Sequence, residues 1–276
     1  MARKRGVRAP RCAGARRARA SADLSIGRVF AESLSLWGRN VVPFVLLTLA
    51  VYSPLVLYTL YVVLSGTENL TPKSADAYDK IHQWGGGLLN SLVSAAIIFG
   101  VFERLRGKSP PLGEMFARGL GRVIPALWTG ILVAVATMVP MAPGFLVAAA
   151  GGFAFGAVLV LVGSVLSLVV STALYVSVAA AVVEKCNGFP ALRRSLDLTR
   201  GAKARIFCIM LLVGIVAFLF GKGVEFIGSP GARLLLIQGF AVVMASFTAV
   251  FAAVIYYRLR ADREGLGIEE FASVFD

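Results

Sequence analysis

Hydrophobic residues in this chain come in long uncharged runs, not in the alternation of a half-buried strand or the single stripe of a soluble helix. From 123 to 183 there are sixty-one consecutive residues without one Asp, Glu, Lys, Arg or His. Further uncharged runs occupy 41–67, 85–102, 206–221 and 234–257. Each is at or near the roughly 20 residues that carry a helix across a ~30 Å hydrocarbon core. The pattern predicts an all-α, polytopic membrane helical bundle with six transmembrane helices at 41–64, 85–102, 123–139, 156–183, 206–227 and 234–257. Two spans use about 40 residues of the longest run. They leave PMAPGFLVAAAGGFAFG, 140–156, as a re-entrant or interfacial piece or as part of an overlong tilted helix.

Before the first, third and fifth spans lies a segment that is basic, helical in period and too polar to cross. In SIGRVFAESLSLWGRNVVP the apolar Ile26, Val29, Phe30, Leu34 and Trp37 share one face. Arg28, Glu32, Ser35 and Arg39 take the other, and Asp23 or Ser25 would cap the helix. The second segment, PPLGEMFARGLGRVIP, echoes the first: FARGLGRVIP against FAESLSLWGRNVVP. In the third, FPALRRSLDLTRGAKARIF, Phe189, Leu192, Leu196 and Thr199 line one face beside Arg193, Arg194, Asp197 and Arg200. Pro190 suits its first turn. The chain therefore reads as three units, about 23–102, 110–183 and 189–260, each an interfacial helix followed by a two-span hairpin. A basic tail at 1–22 precedes them and a C-terminal tail at 261–276 follows.

Amphipathic helices of this composition lie in the plane of the lipid headgroups. Arg28, Arg39, Arg118, Arg122, Arg193, Arg194 and Arg200 are thus candidate headgroup contacts, with anionic lipids the favoured partners. Anchoring is the plain role for three such helices, and sensing or shaping the membrane is the alternative.

Charge fixes the expected orientation. Lys plus Arg number ten in 1–39, five in 103–122, six in 184–205 and three in 258–276, against two in 66–84 and two in 222–233. Basic short loops mark the cytoplasmic side, and an even number of spans must separate successive basic segments. Six spans with both termini cytoplasmic satisfy that parity. Residues 1–20 carry eight basic and no acidic side chains and meet no apolar run before Val41. They read as a disordered tail that helps hold the N-terminus inside, not as a secretory signal. Headgroup attraction is a second reading of the tail, and nucleic-acid binding has only charge in its favour. Cys12, Cys186 and Cys208 lie on or near the same side without metal spacing, so no disulfide is expected.

Candidate chemistry is sparse. The spans hold almost no ionisable residues of the kind that mark ion or proton paths; Glu103 and Glu184 sit at span ends, and Lys222 and Glu225 can pair near the outer end of the fifth. Small residues are abundant: Gly152 and Gly156 form a GxxxG, Ser164, Ser167, Ser171 and Ser177 run down the fourth span, and Ala241, Ala245, Ala249 and Ala253 stripe the sixth. Such residues let helices approach in lipid. Pro43, Pro54, Pro140 and Pro143 could break helices, without a matched pair of broken helices. Glu68, Asp76, Asp79 and His82 could hold a metal but read better as a solvated loop, and Asn69 opens a sequon followed by Pro72. With one histidine, no GxSxG, Walker or HExxH motif and no cysteine ligand set, no enzymatic activity, metal or cofactor is expected.

Two segments carry a family likeness: AVVEKCNGFPALRRSLDLTRGAKARIF and, one hairpin later, VIYYRLRADREGLGIEE. On Glu184, Ala191, Leu192, Ser195, Leu198, Thr199 and Gly201, then Tyr256, Tyr257, Leu259, Arg260, Glu264 and Gly265, the chain resembles the YciC-like bacterial membrane proteins, grouped with the glycerophosphoryl diester phosphodiesterase membrane domain. The match covers roughly the C-terminal third, and the hairpin plan is compatible over 22–276. The resemblance implies an integral membrane protein without transferable catalytic residues. The phosphodiesterase chemistry in the family name would need metal-binding acids and histidines on a soluble barrel, which this sequence lacks. The expected role is non-catalytic, organising the membrane or binding a membrane-protein partner. The rival is a transporter or permease subunit for a neutral or lipid-like solute, and a water-accessible cavity lined by the serines of the fourth span would favour it.

Overall fold

Every long uncharged run forms helix, because in hydrocarbon a helix satisfies its own backbone. The computed structural model describes residues 26–67, 71–105, 107–108, 110–186 and 188–264. The basic tail with Cys12, the caps Asp23 and Ser25, Glu68, the Asn69 sequon and Gly265 lie outside them. The helices are α1 Ile26–Arg39, α2 Val41–Leu64, α3 Pro72–Leu105, α4 Leu112–Leu120, α5 Val123–Met138, a 3₁₀ turn Val139–Met141, α6 Ala142–Ala149, α7 Phe153–Ala173, α8 Ser177–Glu184, α9 Phe189–Thr199, α10 Lys203–Glu225 and α11 Pro230–Glu264. Six stretches are long and apolar enough to cross a membrane: Val41–Leu64, Pro72–Leu105, Val123–Ala149, Phe153–Glu184, Lys203–Glu225 and Pro230–Glu264. The chain is an all-α, multi-pass membrane protein.

Three span boundaries differ from the sequence expectation. The second span starts at Pro72, so Asp76, Asp79 and His82, read above as a solvated loop, form its first turns. Charge ends an apolar run without ending a helix, and the Lys80–Asp76 pair at 2.7 Å supports these turns at i,i+4 spacing. Likewise α11 runs from Pro230 to Glu264, well past the apolar stretch at both ends. Residues 140–156 continue the third span through the 3₁₀ turn and α6, then reverse at 150–152 into α7, which is the overlong-helix alternative. Small residues make that hairpin tight. A Cβ on Gly144 would lie 2.5 Å from Val160 N, one on Gly156 2.7 Å from Ala148 N, and one on Gly163 2.4 Å from the Pro140 carbonyl oxygen. The GxxxG glycine Gly156 therefore packs inside its own hairpin.

The fourth span breaks at Leu174–Val176, between α7 and α8. A break in a membrane helix strands backbone carbonyls that need other donors. The Ala173 carbonyl accepts from the Ser195 hydroxyl at 2.9 Å and lies 3.1 Å from that of Thr199, which shares its one proton with the Ser195 carbonyl at 2.9 Å. Helix α9 thus caps the break. Replacing both, Ser195→Ala with Thr199→Val, leaves a buried acceptor unmatched at a cost of about 1–3 kcal/mol. A clear fall in the thermal unfolding midpoint in mild detergent is expected, with Thr199→Val alone costing much less. An unchanged midpoint for the double variant would mean that other contacts hold the break.

The core lies between α2, α3 and α11, closed by α1 and α8. The alanine stripe of the last span is its packing face, with Ala245, Ala249 and Ala253 buried. Over their most apolar stretches the first, second and sixth spans have 33, 56 and 44% of residues buried, against 6, 11 and 11% for the third, fourth and fifth. The latter three therefore present large apolar side chains outward, as lipid-facing helices do. The small helices follow the same rule. On α9, of the apolar stripe read from the sequence, Phe189 is 68% and Leu196 39% exposed, while Thr199 is buried with Ala191, Ser195 and Leu198. On α1, Val29 and Ser33 are buried and Leu34 is exposed.

Candidate functional site

Polar side chains that the sequence scatters over eighty residues meet at one end of the bundle. Helix α8 ends at Glu184, and the chain then turns through Lys185, in the left-handed region at φ 55°, and Gly188 at φ 66°. Gly188 has little alternative, since a Cβ there would sit 2.9 Å from Trp128 Nε1, and its N–H donates to Thr129 Oγ1 at 3.2 Å. This turn folds α9 back so that Arg194 faces Glu184. Arg194 Nε donates to Glu184 Oε1 at 2.7 Å, and the same oxygen accepts from the Tyr256 hydroxyl at 2.7 Å. Arg194 also pairs with Glu264. Arg260 Nε donates to the other Glu264 oxygen at 2.6 Å and lies 4.0 Å from Glu184.

Two carboxylates, two guanidiniums and a phenol thus form a closed, charge-balanced latch joining the fourth span, α9 and the last helix. Burial alone would lower the pKa of Arg194, but hydrogen bonds and charge from Glu184 and Glu264 override it and hold the guanidinium above its ordinary value. Nearby, burial and then the Glu184 charge push the Cys186 thiol up. A second tie, Glu32 to Arg258 Nε at 2.6 Å, fastens α1 to α11. A third joins Arg104 to Asn40, with the guanidinium 5.2 Å from the Phe44 ring centroid.

At the opposite end His82, expected in a loop, is fixed in the α2–α3 seam. Its Nε2 is 2.9 Å from Thr59 Oγ1, its Nδ1 3.0 Å from the Tyr78 carbonyl oxygen, and its ring stacks on Tyr78 at 4.0 Å. Lys222 and Glu225 pair at 2.8 Å on the exposed surface.

The seven arginines read as headgroup contacts separate into groups. Arg28, Arg39 and Arg193 are exposed. Arg200 is exposed beside Asp197 at 3.6 Å, and its carbonyl accepts from Arg263. Arg194 is committed to the latch. Arg118 and Arg122 alone are brought together, on the wall of one cavity between α3, α4, α5 and α8. Sequence reasoning missed the latch partners of Arg194, although Tyr256, Arg260 and Glu264 stand at i, i+4 and i+8, a polar stripe ending an otherwise apolar helix.

The serines of the fourth span line no common path. Ser164 donates to the Val160 carbonyl at 2.8 Å, Ser167 to that of Thr137 at 2.5 Å and Ser171 to that of Leu168 at 3.0 Å. Ser177 is buried without a hydrogen-bond partner among the described residues. Comparison with protein-family models, with curated proteins and with solved structures finds no match to this chain.

Proposed function

We propose that this chain is a non-catalytic protein of a bacterial inner membrane, of the YciC-like kind, that organises the bilayer or holds a membrane-protein partner. Both termini are cytoplasmic, and α1, α4 and α9 lie among the anionic headgroups. One observation carries the reading: the charged cluster at the basic end and three of the four serines of the fourth span bond to the fold itself, in the latch and in serine-to-backbone bonds, while the third to fifth spans turn apolar faces outward. A path for a polar solute needs polar lining, and Ser164, Ser167 and Ser171, which could have supplied it, are turned to carbonyls of the spans themselves. The exposed Phe189 and Leu196 of α9, flanked by Arg193 and Arg200, suit a helix whose apolar side rests in lipid and whose arginines reach phosphates.

Orientation is tested by single cysteines at Lys73 and Lys108, both exposed, with Cys12, Cys186 and Cys208 changed to serine. An impermeant thiol reagent added to intact cells should label Lys73→Cys at once and Lys108→Cys only after permeabilisation. Labelling of Lys108→Cys in intact cells would overturn the arrangement.

A further inference from the structure

The cavity of about 160 Å³ beside α4 is lined by Phe99, Ala117, Arg118, Gly121, Arg122 and Val182. It is smaller than the roughly 300–1,000 Å³ that drug-sized ligands occupy, so it suits one small group. The Arg122 guanidinium donates to the Val182 carbonyl oxygen at 3.3 Å, its one side-chain hydrogen bond among the described residues, which leaves most of its N–H donors for a ligand. Burial and the like charge of Arg118 both lower its pKa. Arg118 stands over the Phe99 ring, 5.9 Å from the centroid, and pairs with the exposed Glu114 at 4.0 Å. Two guanidiniums on the wall of one small cavity make it favourable for an anion.

The position selects the anion. Arg122 directly precedes the third span, and Phe99 and Val182 lie inside the second and fourth, so the cavity opens where polar and apolar zones meet. Exposed apolar Leu120 and Ile124 flank Arg122 in sequence. Guanidinium pairs hold phosphate by paired N–H···O bonds.

We propose that Arg118 and Arg122 form a binding site for a single phosphate group, that of an anionic phospholipid headgroup. The proposal rests on α4 lying at headgroup level, as argued above. Its test is native mass spectrometry of the full chain, purified in uncharged detergent and offered phosphatidylglycerol, phosphatidylcholine, diacylglycerol or inorganic phosphate.

The parent should retain phosphatidylglycerol above the others, and Arg118→Gln with Arg122→Gln should lower its retention about tenfold or more. Gly121→Leu should do the same with both charges kept. The backbone there is at φ −63° and a Cβ meets nothing closer than 3.6 Å, so the added side chain fills the cavity without breaking the fold. Arg193→Gln with Arg200→Gln should lower this retention much less than the cavity pair does, because those arginines reach headgroups from an exposed surface without a cavity.

Equal losses in both arginine pairs, or retention by Gly121→Leu, would overturn the site in favour of diffuse surface charge. Displacement of the lipid by millimolar inorganic phosphate would overturn the lipid as its source. A parent that prefers no anionic lipid at all would instead refute the headgroup placement on which the proposal depends.

Discussion

Replacing Arg194 by methionine is expected to destabilise the protein more than any other single change at its basic end. Methionine keeps much of the apolar stem that lies along α9, so the loss isolates the charge and its hydrogen bonds. Glu184 and Glu264 would then share Arg260 alone, and Arg260 lies 4.0 Å from Glu184. Removing one partner of a fully buried ion pair costs roughly 3–5 kcal/mol. The Arg194 and Glu184 side chains are 28 and 21% exposed, so water screens part of the loss and about 2–3 kcal/mol is the expected size. Glu184→Gln should cost less, because the amide oxygen still accepts from Tyr256 and from Arg194. The double variant should cost clearly less than the sum of the two, since residues of one network couple by about 0.5–3 kcal/mol. Thermal unfolding in mild detergent, followed by circular dichroism, supplies all three values. Additive losses would mean that the pair does not act as a unit and that α9 is held by Ser195, Thr199 and Leu198 alone.

The six spans were legible because crossing a bilayer needs length and apolarity together, and both are one-dimensional. Span ends were less legible for a physical reason. Asp76, Asp79 and His82 are polar enough to leave hydrocarbon yet compatible with helix, so α3 continues through them. The face by which α9 packs on the bundle was not legible, for a related reason. Ranking residues by hydrophobicity selects Phe189, Leu192 and Leu196, as it would in water. In lipid the driving force is close fit and polar satisfaction, so Ala191, Ser195 and Thr199 turn inward and the large side chains turn out. The latch was hidden by distance along the chain: Glu184 and Arg194 are neighbours in sequence, but Tyr256, Arg260 and Glu264 arrive only after another hairpin. Six of the thirteen residues on which the sequence resemblance was drawn, Glu184, Ser195, Thr199, Tyr256, Arg260 and Glu264, converge on the latch and on the break that α9 caps. In this fold they share a mechanical task, fastening the broken fourth span to the last helix.

Two alanine substitutions in α4 should act in opposite directions. Glycine lowers helix stability by about 1 kcal/mol relative to alanine, so by propensity alone both Gly113→Ala and Gly119→Ala would stabilise this nine-residue helix. At Gly113 a Cβ meets nothing within 4 Å, and a gain of a few tenths to about 1 kcal/mol is expected there. At Gly119 the Cβ would lie 2.6 Å from Ala96 Cβ, 2.7 Å from its Cα and 2.9 Å from its N. Two of those atoms are backbone of α3 and the third is the Cβ fixed to it, all buried in the core, so they cannot step aside as a flexible side chain could. The strain should cost about 1–3 kcal/mol, and the cheapest relief is for α4 to lift away. It is too short to persist as a helix by itself, and its other anchor is Met115, seated against Gly100. Hydrogen exchange in detergent should therefore show amides 112–120 losing protection in Gly119→Ala while amides of α2, α3 and α11 keep theirs, with slower exchange in Gly113→Ala. If both variants gained protection alike, α4 would not be docked through Gly119, and the cavity that Arg118 and Arg122 share would lose the wall that α4 provides.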